Sequence, residues 1–177
     1  MKKGGRGKKF EDVVKESFEK VHNVQVTRLK DDTFGFKGAK NPCDFLVFHQ
    51  PYLYAIECKS KHNNLLSIYS VSKDANKPHD YGDITNGQWE GLLEMSQVKG
   101  VVAGVMCWWV NQDVTKFIPI QMLVAMREYG HKSIRFDCDM FVDKDGKMHT
   151  ATDIVGDKKR VYYNYNMVQF LREMEVK

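Results

Sequence analysis

Two short apolar runs, split by a Gln50-Pro51 break, constrain the fold of this chain more than anything else in it. The first is Asp44-Phe45-Leu46-Val47-Phe48-His49 and the second is Tyr52-Leu53-Tyr54-Ala55-Ile56-Glu57-Cys58-Lys59. Both are dense in aromatic and aliphatic residues and too short for helices, so they predict an antiparallel hairpin. With a short turn at the break, Asp44 falls opposite Glu57, and period-two alternation places Lys59 on the same face as Glu57. Two carboxylates meeting on one sheet face repel unless a cation lies between them, and hard oxygen donors with room left for water suit Mg²⁺. A neighbouring ammonium can position a water or stabilise charge developing at phosphorus. Carboxylate, carboxylate and lysine around a divalent ion are the equipment of phosphodiester hydrolysis.

The chain has 177 residues with 42% apolar side chains, which is enough for one domain with a full core. It has no apolar run of membrane-spanning length, and its basic N-terminus lacks the apolar stretch of a signal peptide. A cytoplasmic protein with no membrane partner and no small-molecule cofactor is expected. Cys43, Cys58, Cys107 and Cys138 have no zinc-like spacing and read as buried thiols in a reduced compartment. Cys43 and Cys58 flank the two acids and are expected to point together to the core-facing side of the hairpin.

The net charge of +4 is modest but unevenly spread. Lys2, Lys3, Arg6, Lys8 and Lys9 crowd the first nine residues and read as a basic arm over 1–9, ahead of one domain over 10–177. By itself such an arm is a solvated tail; beside a phosphodiester-cleaving site it becomes a phosphate-binding surface. Arg6 between two glycines stands out, because glycine lets the backbone follow a phosphate closely. Lys30, Lys37 and Lys40 form a second basic group, and Lys158, Lys159 and Arg160 a third. Lys61, just past the hairpin, is a further candidate for a phosphate contact.

The periodicity predicts one α/β unit. Residues 8–22 read as a helix, with Phe10, Val14, Phe18 and Val21 at helical spacing and Glu11 in the first turn, where the helix dipole favours a carboxylate. Val24 to Leu29 alternates as a strand. Residues 60–83 read as a long mobile loop, with His79, Asp80 and Asp83 as polar loop residues. Thr85 or Asn86 can cap a helix reaching Val98, with Gln88 in its first turn and Trp89 and Leu92 in the core. Val101 to Val110 reads as a strand buried on both faces, its two tryptophans core rather than a stacking platform. Thr115 to Ile120 is its expected antiparallel partner, followed by a helix over 121–129. Asp143-Lys144-Asp145-Gly146-Lys147 signals a hairpin turn, and Tyr165 to Val176 a terminal amphipathic helix.

Asn41-Pro42-Cys43-Asp44 followed by Glu57-Cys58-Lys59 resembles the PD-(D/E)xK nuclease signature. Further pieces follow in order. Gly5-Arg6-Gly7 leads into Phe10-Glu11-Asp12. Asn86-Gly87-Gln88-Trp89-Glu90 opens a helix ending in Ser96-Gln97-Val98-Lys99-Gly100, and Gly130-His131-Lys132-Ser133-Ile134 comes later. The ordered set, from about Gly5 to the last helix, resembles the RecU-type Holliday junction resolvases, and the compact chain would suit a phage version of them.

This resemblance implies a restriction-endonuclease-like α/β fold, a mixed central sheet flanked by helices. It implies Mg²⁺, with Mn²⁺ as an alternative, held by Asp44, Glu57 and the Cys58 carbonyl with Gln88 assisting. Lys59 would act on water or phosphate, and Glu11 would lie near the metal. It also implies a stalk-like segment over 30–41 and phosphate contacts from Arg6, Lys8, Lys9, Lys37, Lys40, Lys61 and Lys132. The expected activity is paired nicking of four-way DNA junctions, leaving 5′-phosphates. The two-fold symmetry of a junction implies a homodimer. Two other classes are open to the same residues: a restriction- or repair-like nuclease acting on duplex or flap DNA, and a non-catalytic DNA-binding protein in which Glu57 and Lys59 are a structural ion pair.

Overall fold

The computed structural model describes residues 5–29, 41–68, 82–158 and 163–175. Helix α1 (Gly5–Glu19) is followed by β1 (Gln25–Arg28), β2 (Phe45–His49) and β3 (Tyr52–Lys61). Then come β4 (Leu65–Ser67), α2 (Asn86–Met95), β5 (Val101–Trp109), β6 (Val114–Pro119) and α3 (Ile120–Glu128). Short strands β7 (Ser133–Arg135), β8 (Met140–Val142), β9 (Met148–Thr150), β10 (Thr152–Asp153), β11 (Gly156–Lys158) and β12 (Tyr163–Tyr165) lead to α4 (Met167–Glu175).

The main sheet runs β1-β2-β3-β5-β6-β10. Only β3 and β5 pair in parallel; the other neighbours are antiparallel, so the sheet is mixed as expected. A parallel pair needs a crossover, and here the crossover carries β4 and α2. Alternation along β3 and β5 divides the core between two faces. Tyr54, Ile56, Cys58 and Met106 pack with Phe10, Val14 and Phe18 of α1 and with Phe170 and Leu171 of α4. Ala55, Val105, Cys107 and Trp109 pack on the other face with Trp89 and Leu92 of α2 and with Met122 and Leu123 of α3. Helices therefore cover both faces. Trp109 is wholly buried and Trp108 lies 5.8 Å from the Phe10 ring, so both indoles belong to packing.

Several boundaries differ from the sequence expectations. Helix α1 begins at Gly5 and ends at Glu19, so the expected arm over 1–9 is helical from its fifth residue. The helix takes in Gly5 and Gly7 despite their low helix propensity. Glu11 consequently sits in the second turn, where the dipole argument loses its force. The expected loop over 60–83 is partly sheet. Lys61 closes β3, β4 pairs with β7, and Leu66 and Ile68 enter the core. Two buried aliphatics hold this stretch down, and its partner strand lies beyond α3, out of reach of a local signal. Residues 69–81 of that loop, and residues 30–40 of the stalk-like segment with Lys37 and Lys40, lie outside the described residues. No described helix is long and apolar enough to cross a membrane.

One aromatic knot ties α4 to the sheet and to α1. Phe170 is buried, with ring centroids of Phe117, Tyr54 and Phe18 at 5.4, 5.9 and 6.2 Å. Phe170→Ala is expected to cost about 3–5 kcal/mol in a denaturant unfolding titration, the usual range for a buried phenylalanine that leaves a cavity. A loss below about 1 kcal/mol would mean the knot collapses around the gap.

Candidate active site

The site is built where β3 outruns β2. Leu53 N–H donates to Gly100 O (2.9 Å) and Val110 N–H to Lys61 O (2.8 Å), so the odd-numbered residues of β3 bond β5. The even-numbered residues therefore face β2, whose ladder ends at Phe45↔Ile56. The N–H and C=O of one strand residue point to the same edge. Cys58 thus turns both toward an edge from which β2 has departed, and Asp44 Oδ2 accepts its N–H at 2.8 Å.

Asp44 does not continue the ladder to face Glu57 squarely. Its own N–H donates to Ile56 O (3.1 Å), so Asp44 and Phe45 both lie across from Ile56, a β-bulge. The bulge also interrupts the inside–outside alternation. Cys43 packs in the α2 and α3 cluster and Cys58 in the α1 and α4 cluster, so the two cysteines point to opposite faces and not together. Both are free thiols, as expected. Burial pushes Cys43 up to about 12 and Cys58 well above its ordinary value, which leaves them unreactive.

Alternation does bring Glu57 and Lys59 together: Lys59 Nζ lies 2.8 Å from Glu57 Oε1. The same oxygen accepts Gln88 Nε2 at 2.5 Å, and Gln88 Oε1 accepts Lys59 Nζ at 3.2 Å. Helix α2 fixes that glutamine. Thr85 is the N-cap; its Oγ1 accepts Gln88 N–H (3.4 Å), while Gln88 Oε1 accepts Thr85 N–H (3.0 Å), a capping box. With two donors aimed at its carbonyl oxygen, the amide must turn its nitrogen to Glu57. One side chain therefore both caps a helix and bridges an acid to a lysine.

Glu57 is only 2% exposed. Burial pushes its carboxyl up to about 7; Lys59 opposes the shift, while Asp44 and Glu11 add to it. Among the described contacts, two cations, Lys59 and Arg28, stand among four acids, Asp44, Glu57, Glu11 and Asp12. Among the described residues, no three His, Cys, Asp or Glu side chains gather as a ready-made metal cage. The donors present are two carboxylates and a Cys58 carbonyl facing the same edge. Mg²⁺ takes such a sparse oxygen set, because it keeps several of its waters. The donor chemistry and the excess negative charge both fit a divalent cation.

Sequence similarity adds nothing to this geometry. No protein-family model matches the chain, and no curated protein matches it. Among solved structures, it is similar to Hjc, a Holliday junction resolvase from the archaeal hyperthermophile Archaeoglobus fulgidus. The match has 21% identity and a TM-score of 0.42 and covers 67% of this chain and 75% of that one. A likeness that loose carries no weight for activity.

The remaining candidates are scattered. Glu11 pairs with Arg28 of β1, whose guanidinium also reaches Asp12 at 2.9 Å. Glu11 is near enough for its charge to reach Glu57 and Cys58. Lys61 pairs with Asp83 at 2.5 Å, and Asp83 also accepts Ser67 N–H at 2.7 Å. That lysine is a tie between β3, β4 and the approach to α2, not a cation held out to solvent. Lys9 and Lys132 are exposed, and Arg6 and Lys8 fall in the first turn of α1. The sequence reading missed Arg28 and the tying role of Asp83. Alternation in β1 could have suggested an inward-reaching cation, but nothing local marks Asp83.

The Glu57 shift has a direct consequence for stability without divalent ions. The carboxyl ionises near 4.5 in the unfolded chain and about 7 in the fold, so the native state holds the extra proton between them. The stability gained from neutral Glu57 is full below the lower value and is lost as pH rises through the upper one. In EDTA, Glu57→Gln is expected to flatten the decline of Tm between about pH 5 and 8. Parallel pH profiles for the two proteins would show that Glu57 ionises normally.

Proposed function

We propose that the protein is a Mg²⁺-dependent endonuclease that nicks branched DNA, with four-way junctions as its substrate and Mn²⁺ as a substitute ion. The observation that carries the nuclease reading is that Asp44, bonded to the Cys58 N–H, lies within electrostatic reach of Glu57, which Lys59 and Gln88 both meet. The junction preference rests on the ordered resemblance of the chain to RecU-type resolvases.

Asp44, Glu57 and the Cys58 carbonyl would hold the ion, with Gln88 beside them. When bound, such an ion polarises a phosphoryl oxygen and acidifies a water. The Cys58 N–H fixes the Asp44 carboxylate, and Gln88 fixes Glu57. An ammonium has three donors, and the described contacts of Lys59 use two. The third is left to orient the attacking water or to meet a phosphate oxygen. Water adds to phosphorus, the bond to O3′ breaks, and O3′ takes up a proton, leaving a 5′-phosphate and a 3′-hydroxyl. Glu11, set by Arg28, would tune the charge of the site. Arg6, Lys8, Lys9, Lys37, Lys40 and Lys132 would carry phosphate contacts. Lys61 would serve through its tie to Asp83. Two cuts on a nearly two-fold substrate call for a two-fold homodimer.

The test is cleavage of an end-labelled four-way junction beside a linear duplex of matching sequence, with Mg²⁺ or EDTA. The expected result is paired nicks in the junction alone, lost in EDTA and in Asp44→Asn. Lys59→Ala should be slowed about 10²–10³-fold, the range for losing one group that stabilises transition-state charge. Equal cutting of both substrates would indicate a duplex or flap nuclease. Tight junction binding with no nick under any condition would leave a DNA-binding protein.

A further inference from the structure

Helix α2, which carries Gln88, comes close to the chain entering Asp44 where Gly91 meets Pro42. A Cβ built on Gly91 would lie 2.3 Å from Pro42 Cβ and 3.0 Å from Pro42 Cα. Gly91 follows Gln88 by three residues, so the two share a face of the helix. Pro42 precedes Asp44 by two residues, with buried Cys43 between them. Glycine weakens a helix interior relative to alanine, so its place here needs a reason. Backbone conformation is not that reason, because Gly91 is absent from the glycines of positive φ. Close approach is.

We propose that Gly91 and Pro42 are positioning residues that set the distance between Gln88 and Asp44, which dock on β3 from two sides, Gln88 against Glu57 and Lys59 and Asp44 against the Cys58 N–H. The proposal rests on the reading of this site as a divalent-ion site. A proline ring is rigid and cannot swing aside as a long side chain would. Moving a carbon from 2.3 Å to ordinary contact at about 3.5–4.0 Å displaces the strand entry or the helix by more than about 1 Å. A carboxylate pair sharing one small ion tolerates little of that.

The experiment measures Mn²⁺ binding calorimetrically without DNA, on wild type, Gly91→Ala, Pro42→Gly, the double variant and Asp44→Asn. Thermal melts and junction cleavage are read in parallel. Gly91→Ala is expected to bind Mn²⁺ at least about tenfold more weakly and to lose about 10²-fold in kcat, the scale for a 1 Å misplacement. Pro42→Gly should weaken binding by removing the stop. The double variant should regain most of it, because the alanine methyl then occupies the space left by the ring. Unchanged Mn²⁺ affinity in both single variants, whatever their Tm, would overturn the proposal and leave the contact as packing alone. So would additive losses in the double variant. Should Gly91→Ala fail to fold, Pro42→Gly decides, since it introduces no clash. If wild type and Asp44→Asn bind Mn²⁺ alike, the ion-site reading itself falls, and the positioning role falls with it.

Discussion

Glu57 is the constraint on which the rest of this site depends. A carboxylate at 2% exposure is tolerable only if it is neutral or met by donors, and here Lys59 and Gln88 converge on one of its oxygens. Each partner needs its own support. Lys59 reaches Glu57 because β3 alternates regularly past the end of β2. Gln88 reaches it because Thr85 caps α2 and locks the amide by hydrogen bonds at both its backbone and its carbonyl oxygen. The helix start and the strand end are thus parts of one network, and neither can shift without uncovering the acid.

The second structural condition is that β3 is flanked unequally. On the β5 side it is paired without a break from Leu53↔Val101 to Lys61↔Trp109. On the β2 side pairing stops at Ile56. An unpaired sheet edge normally invites another strand. Here the bulge at Asp44 brings a carboxylate to the first vacated donor, Cys58 N–H, and closes the edge with a side chain. The same step collects charge at the margin of the sheet, where Glu11 approaches from the α1 side.

What the sequence made legible is what short-range periodicity encodes. The apolar runs marked β2 and β3, alternation paired Lys59 with Glu57, and Thr85 or Asn86 marked the start of α2, while the capping box through Gln88 emerges only in the fold. Most of the failures depend on contacts distant along the chain. The bulge at Asp44 is a register decision made against β3. The β4–β7 ribbon joins segments on either side of α2 and α3. Lys61 reads as a surface cation until Asp83 is folded against it. The close approach of Gly91 to Pro42 likewise joins segments far apart in sequence. Glu11 lies within electrostatic reach of Glu57, but its local argument failed, since α1 starts earlier than its apolar stripe suggests.

Charge decides how such a site could meet DNA. Asp44, Glu57 and Glu11 stand against Lys59, while Arg28 is divided between Glu11 and Asp12, and Lys61 is consumed by Asp83. Around the acids the balance is negative, and a phosphodiester is negative too. Exposed lysines such as Lys9 and Lys132 can draw DNA to the surface over a Debye length, but they cannot neutralise buried acids. Under the nuclease reading, a divalent ion would serve approach as well as chemistry, because it would reverse the sign of the field where the scissile phosphate sits. Protonating Glu57 would relieve the repulsion as well, but it would remove a ligand in doing so. Were Glu57 a ligand, metal and proton would compete for that carboxylate, whose hold on its proton burial strengthens.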